Sequence, residues 1–301
     1  MSKNNIRIRV PGSGGELLQG MAGGKPFLVT CPIDRFTAAS LTSGSGVFGF
    51  GKKARQMMTM ALKARGLEDV PLRIRQFRHL PVGKGMASSS ADLALAAAAV
   101  GTVAGKPFSE REILDMAVSL EPTDGIFLHG IAAMGQTTGQ IFGEYPAPPL
   151  QMALFDRGGR VNTRLFHEEW RRRLTPSYER ETERLLRQMT SVLRAGDALQ
   201  TARIATEGAL LHGAMFPFLQ AEPFWHAAEK SGAIGMTLAH SGTLLCAFWP
   251  LDASKSDVRR GTDRIAAAMP QLHFFGLHRL IDGGIFYDDS AGKEGIDIEA
   301  L

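Results

Sequence analysis

Cysteine is nearly missing from this chain: Cys31 and Cys246 are the only two in 301 residues. They stand far apart in unlike contexts, which excludes a Cys-paired metal or redox motif and points to a reducing, cytoplasmic setting. There is no His-Glu-x-x-His and no Cys/His pairing, so protein-bound zinc is not expected. Long apolar runs are lacking too. The most apolar stretch, Ala91 to Ala104, is too short for a membrane span and carries Asp92 at its mouth, and Met1 to Val10 has no apolar signal core. Neither membrane insertion nor secretion is expected. Neither sign of charge dominates: 34 basic minus 30 acidic residues leaves +4. That excess suits a small anionic substrate and is too spread out for nucleic acid. The densest cluster, Arg171-Arg172-Arg173, has no interleaved aromatic beyond Trp170 and reads as a solvated helix face.

Several nucleotide motifs are also absent. No Gly-Lys-Ser/Thr occurs, which excludes a Walker A loop, and no His-Arg-Asp or Asp-Phe-Gly, which excludes a protein kinase. A dinucleotide fingerprint fails because Gly83 and Gly85 fit but the third glycine position is Ser88.

What the chain does contain is a soluble, globular balance, 44% hydrophobic and 21% charged, with enough length for two ordinary domains. Leu80-Pro81-Val82-Gly83-Lys84-Gly85-Met86-Ala87-Ser88-Ser89-Ser90-Ala91-Asp92 leads into the Ala/Leu run Leu93 to Val100. Glycines ahead of a helix let successive N–H groups turn toward one spot, and the helix adds its unpaired first-turn donors there. Such a place holds an anion, phosphate most readily. The serine hydroxyls can cap the helix, bind phosphate or ligate magnesium. A serine-capped turn before a buried helix is the plainer reading of the same residues.

Around it, alternation predicts strands at Ile6 to Val10, Phe27 to Thr30, Phe36 to Leu41 and Leu72 to Gln76, with Pro11 to Gly20 and Pro32 to Arg35 as loops. Helical spacing covers Ala54 to Arg65, and Ser109 with Glu112 forms a capping box for the next helix. That helix ends at Glu121-Pro122-Thr123-Asp124-Gly125, where two carboxylates three residues apart fit either chemistry or an ordinary helix end. Pro146-Ala147-Pro148-Pro149 is the clearest linker, followed by a strand at Gln151 to Phe155. Helices are expected over Pro176 to Ala195 and Asp197 to Met215, then strand-like runs flanking Ala239-His240-Ser241-Gly242. The small-residue, acidic tail from Asp288 is expected to be mobile.

Pro81, Gly83, Gly85, Ser88 and Ser89 match the second motif of the GHMP kinases, Pro-x-Gly-x-Gly-x-x-Ser-Ser-Ala; Ser90 replaces its final alanine and Ala87 stands where many members have glycine. Pro11-Gly12-Ser13 with Gly15-Glu16-Leu17 and Gln19-Gly20, then Pro32-Ile33-Asp34-Arg35, resembles the branch of that family that phosphorylates free L-threonine for the aminopropanol arm of cobalamin. Ala-His-Ser-Gly-Thr from Ala239 resembles that branch's third motif, with three usual glycines replaced.

The resemblance implies an α+β architecture: an N-terminal ATP-binding domain (1–160) like ribosomal protein S5 domain 2, and a ferredoxin-like C-terminal domain (161–301). It implies ATP and Mg2+ as cofactors and a small hydroxy amino acid as substrate, with no nucleic-acid or membrane partner, in a monomer or homodimer. Pro81, Gly83, Lys84, Gly85, Met86, Ala87, Ser88, Ser89 and Ser90 would surround the triphosphate. Ser89 and Glu121 would hold magnesium, and Asp124 would accept the substrate proton, although it falls earlier after Pro122 than in the family pattern. Glu16 and Asp34 are candidates for the substrate ammonium; Arg35, His240 and Ser241 for its carboxylate or for phosphate. Homoserine kinase, another GHMP small-molecule kinase, and a non-catalytic GHMP-fold regulator are the alternatives.

Overall fold

The computed structural model describes residues 6–68, 73–161 and 163–289; the tail beyond Asp289 lies outside the described residues. The chain forms β1 (Ile6–Ser13), β2 (Leu18–Ala22), β3 (Lys25–Val29), β4 (Pro32–Thr42), β5 (Val47–Phe48), α1 (Lys52–Arg65), β6 (Arg73–Arg78), α2 (Ser88–Val103) and α3 (Glu110–Leu120). It continues with β7 (Ile131–Gly135), β8 (Ile141–Tyr145), β9 (Leu150–Asp156), α4 (Thr163–Arg173), α5 (Pro176–Ala195), α6 (Ala198–Met215) and α7 (Ala221–Lys230). The last elements are β10 (Gly235–Leu238), β11 (Leu244–Pro250), α8 (Lys255–Ala268), β12 (His273–Arg279) and β13 (Phe286–Asp289). No described helix is long and apolar enough to cross a membrane.

Among the described residues three sheets form, ordered β13-β1-β4-β6-β5, β2-β3-β7-β8 and β10-β11-β9-β12. Their pairings are antiparallel except β5 with β6. The first sheet is covered by α2, with α1 and α3 packed beside it. Helix α2 is apolar all round, and every residue from Leu93 to Gly101 is buried, as expected of a helix enclosed on all sides rather than an amphipathic one. Helices α5 and α6 cover β2, and α6, α7 and α8 cover the third sheet.

Several elements differ from the sequence expectation. Pro32 to Arg35 is strand, not loop, because the first residues of β4 pair with the end of β1, Pro32 with Ser13 and Ile33 with Gly12. The Gly/Thr-rich segment from Ile131 to Tyr145 is a hairpin whose register slips at Ala133/Met134. Sheet membership changes within Pro146–Pro149, ahead of Arg160: β9 pairs with β11 and β12, and at Phe286 the chain returns to pair with β1. The spans 1–160 and 161–301 thus describe chain order, while the sheets interleave.

Local chemistry sets the element ends. The expected capping box at Ser109 and Glu112 is present, with both reciprocal hydrogen bonds. Thr175 caps α5 with Pro176 in its first turn.

Candidate active site

The ends of β1, β10 and α2 converge. Ser13 N–H donates to Met86 O (3.0 Å), and Glu16 N–H donates to Leu238 O (3.1 Å). The first motif therefore lies between the phosphate loop and the turn that follows β10.

In the phosphate loop, Gly83, Gly85 and Ala87 all have left-handed backbone, with φ of 75°, 87° and 55°. Ala87 is the N-cap of α2, and no side chain caps the helix. Its first-turn N–H groups and the positive end of its dipole are thus left for an external acceptor. Pro81 and Ser88 are partly exposed, and Met86 is buried.

Ser89 is the exposed hydroxyl at this mouth, and its Oγ donates to Glu121 Oε1. The other oxygen of Glu121 accepts from Lys53 Nζ, which α1 supplies. A hydroxyl and a carboxylate oxygen are donors suited to a hard cation. Among the described residues no cluster of three or more His, Cys, Asp or Glu could hold a metal ion, so a cation here would depend on ligand oxygens as well.

Ser90 points inward and does something else. Its Oγ accepts from Asp124 N–H (3.0 Å), tying the loop after α3 to the start of α2. Asp124 Oδ1 accepts from Gln136 Nε2 (3.4 Å). Burial lifts the Asp124 carboxyl to about 6, with the Glu121 charge adding to the rise and the Gln136 and Ser90 hydrogen bonds opposing it. Glu16 is buried nearby, and its Oε2 has no hydrogen-bond partner. Burial pushes its carboxyl well above the ordinary range, and the Asp124 charge adds to that. Two neighbouring acids, one with an unpartnered oxygen, make this corner suited to a cationic group and a transferable proton.

Four expected site residues are committed elsewhere. Lys84 Nζ donates to Asp156 Oδ2 (2.5 Å) and to Gly159 O (2.9 Å), so its ammonium is held behind the loop rather than offered to phosphate. Asp34 Oδ1 accepts from His278 Nδ1 and Arg279 N–H, both at 3.0 Å, which ties β4 to β12. The Arg35 guanidinium lies 4.7 Å from the Phe275 ring centroid on that same strand. His240 is buried with both ring nitrogens engaged, Nδ1 by Gln19 Oε1 and Nε2 by His167 Nδ1 at 3.3 Å. Trp170 and His212 enclose it at ring-centroid distances of 5.1 and 5.6 Å. Burial holds its imidazole well below the ordinary value, with His212 and His167 adding to the effect. Ser241 remains partly exposed and precedes Gly242, which contacts the phosphate loop.

That contact is backbone on backbone. A Cβ on Gly85 would fall 2.2 Å from Ala239 Cβ, and one on Gly242 would fall 2.3 Å from Lys84 O. Lys84 O accepts from Thr243 N–H (3.0 Å) and Leu244 N–H (3.3 Å). Lys53, Gln136, Asp156 and Thr243 were not singled out from sequence. Of these, only Asp156 carried a usable signal, an acid at the end of an expected strand.

Residues 52–136, from α1 through the phosphate loop to just past β7, match the family described as GHMP kinases N terminal domain. The chain carries this domain in a GHMP kinase fold. It is similar to the L-threonine kinase of Salmonella typhimurium, with 25% identity over 292 residues, covering 94% of this chain and 96% of that protein. Among solved structures it resembles homoserine kinase from Cytophaga hutchinsonii, with a TM-score of 0.71, 15% identity and 96% and 98% of the two chains covered. It also resembles mevalonate diphosphate decarboxylase from Enterococcus faecalis, studied for its ATP binding, with a TM-score of 0.67, 16% identity and coverage of 96% and 99%. Because a decarboxylase shares the fold, the fold alone does not single out a kinase.

Proposed function

We propose that this chain transfers the γ-phosphoryl group of ATP, with magnesium, to the hydroxyl of L-threonine. The product, O-phospho-L-threonine, would feed the aminopropanol arm of cobalamin, as the sequence resemblance implies. The observation that carries the reading is the Ser89–Glu121 pair at the uncapped start of α2, beside the buried Asp124. The near full-length similarity to an L-threonine kinase supports threonine as the acceptor.

Loop N–H groups from Gly83 to Ser89 take the polyphosphate oxygens, and the α2 dipole favours the charge that develops there. Ser89 and Glu121 would hold magnesium, which when bound neutralises phosphate charge. A cation held by Glu121 would compete with Lys53 for that carboxylate, and Lys53 would then offer an ammonium at the same mouth. Asp124, ionised above about 6, accepts the hydroxyl proton as the O–P bond forms. Glu16, with its unpartnered oxygen, takes the substrate ammonium. That pairing favours the carboxylate form against the upward push of burial. Threonine offers both the cation and the hydroxyl that this corner requires.

The test is ADP release with magnesium-ATP across L-threonine, L-serine, L-homoserine, mevalonate and galactose, with the product identified by mass. Threonine-dependent ADP together with phosphothreonine is the expected result. The homoserine kinase likeness makes L-homoserine the competing acceptor. Turnover on it in preference to threonine would keep the kinase and discard the threonine reading.

A further inference from the structure

One carboxylate holds the phosphate loop from behind. Asp156, the last residue of β9, accepts from Lys84 Nζ on Oδ2 (2.5 Å), and from Thr243 Oγ1 (2.5 Å) and Gly158 N–H (3.0 Å) on Oδ1. Lys84 belongs to the phosphate loop, Thr243 to the turn after β10, and Gly158 to the chain leaving β9. The two charged side chains are 18% and 8% exposed, so this pair is largely shielded from water. Backbone bonds run in parallel: Val161 N–H donates to Gly83 O (3.4 Å), and Arg157 N–H donates to Thr243 O (3.0 Å). Three segments far apart in sequence therefore meet at a single anion, and both oxygens of that anion are used.

We propose that Asp156 is a positioning residue for nucleotide binding: through Lys84 and Thr243 it fixes the phosphate loop against the 239–243 turn. The inference rests on the ATP reading above. The loop has three consecutive alternate residues in left-handed backbone, Gly83, Gly85 and Ala87. Glycine there permits many other conformations as readily. A loop free to sample them would lose affinity in proportion to the fraction of time it spends in the receptive shape. The Asp156 pair orders the loop beforehand, so that polyphosphate meets N–H groups already converged. It also explains why the loop lysine points away from the mouth. Its role is to be gripped.

The test is binding of a non-hydrolysable ATP analogue by calorimetry, together with kcat and KM for each substrate. Asp156→Asn leaves an enclosed ammonium facing a neutral amide. ATP affinity is expected to fall about tenfold while KM for the amino acid stays within about twofold. Adding Lys84→Met removes the stranded charge and not the loss of the anchor, so the double variant is expected to stay within about threefold of Asp156→Asn. A double variant that returns to wild-type affinity would mean that the loss came from the stranded charge alone, and the proposal falls. It falls equally if Asp156→Asn binds the analogue as tightly as wild type or tighter, as it would if a freed Lys84 served phosphate directly, or if both substrates weaken alike. Should Asp156→Asn not fold, the double variant, which strands no charge, decides: wild-type affinity in it would overturn the proposal. Wild type failing to bind ATP would overturn the kinase reading and this one together; wild type binding with Asp156→Asn unaffected would overturn this one alone.

Discussion

Ser90 and Asp124 come from different elements, and their contact joins the helix that receives phosphate to the acid that would receive the proton. The GHMP motif has alanine at the position of Ser90, and the hydroxyl here accepts the Asp124 N–H at 3.0 Å. The Asp124 carboxyl is lifted to about 6 by burial, while the Ser90 contact pulls it down. The sign of the expected pH dependence follows. A base must be ionised, so kcat/KM should rise with pH through about 6 and level off above it. Ser90→Ala removes a lowering influence and should move that rise to higher pH. Asp124→Asn should cost about 100-fold or more in kcat and abolish the rise. Rate profiles from pH 5 to 8 for the three proteins check this. An Asp124→Asn enzyme within a few fold of wild type would take Asp124 out of the chemistry and leave positioning and charge neutralisation to do the work.

The phosphate loop and the turn after β10 act as one element because glycine on each side lets their backbones touch. Gly242 shows this most cleanly, since only space constrains it: a Cβ would sit 2.3 Å from Lys84 O and 2.5 Å from Gly85 Cα. Gly66, which ends α1 in left-handed backbone at φ 68°, has nothing within 4 Å of an added Cβ. Gly66→Ala should therefore cost roughly 1–2 kcal/mol of stability and leave ATP binding alone. Gly242→Ala must push the two loops apart, and ATP affinity should fall about tenfold or more. Thermal unfolding beside calorimetric ATP titration separates the two, and unchanged affinity in Gly242→Ala would show that the loops do not need each other. The same element shows what could be read in advance. Glycine and serine spacing from Pro81 to Ser90 is local, so it was legible, as were the capping box and the long helices. The contact of Lys84 with Asp156 was not legible, because the two are 72 residues apart. The contacts of Asp34 with His278 and of His240 with Gln19 were hidden for the same reason, across 244 and 221 residues. A charged residue inside a motif carries no local sign of which neighbour will claim it.

Across the whole molecule, a largely buried histidine cluster lies where elements of two sheets meet. Gln19 from β2, His167 from α4, His212 from α6 and His240 from the turn after β10 meet there. The strands that supply the two sides pair in different sheets, so protonating this cluster should weaken the molecule as a whole. Burial lowers the His212 imidazole to about 3, whereas in the unfolded chain it titrates near its ordinary value of about 6.5. Between those limits the unfolded state binds the extra proton, so stability falls as pH falls, by about 1.4 kcal/mol per pH unit for each such histidine. Asp124 and Glu16 have the opposite sign, because carboxyls raised in the fold bind protons there first and lose stability as pH rises. The wild-type curve sums both, so the difference between two proteins is the cleaner quantity. His212→Leu removes one histidine contribution and leaves the acids in place. Whatever it costs at pH 7, its deficit relative to wild type should shrink by roughly 2 kcal/mol on going to pH 5. Urea unfolding of both proteins at the two pH values measures this, and a deficit that stays constant would mean that His212 titrates in the fold as it does in the unfolded chain.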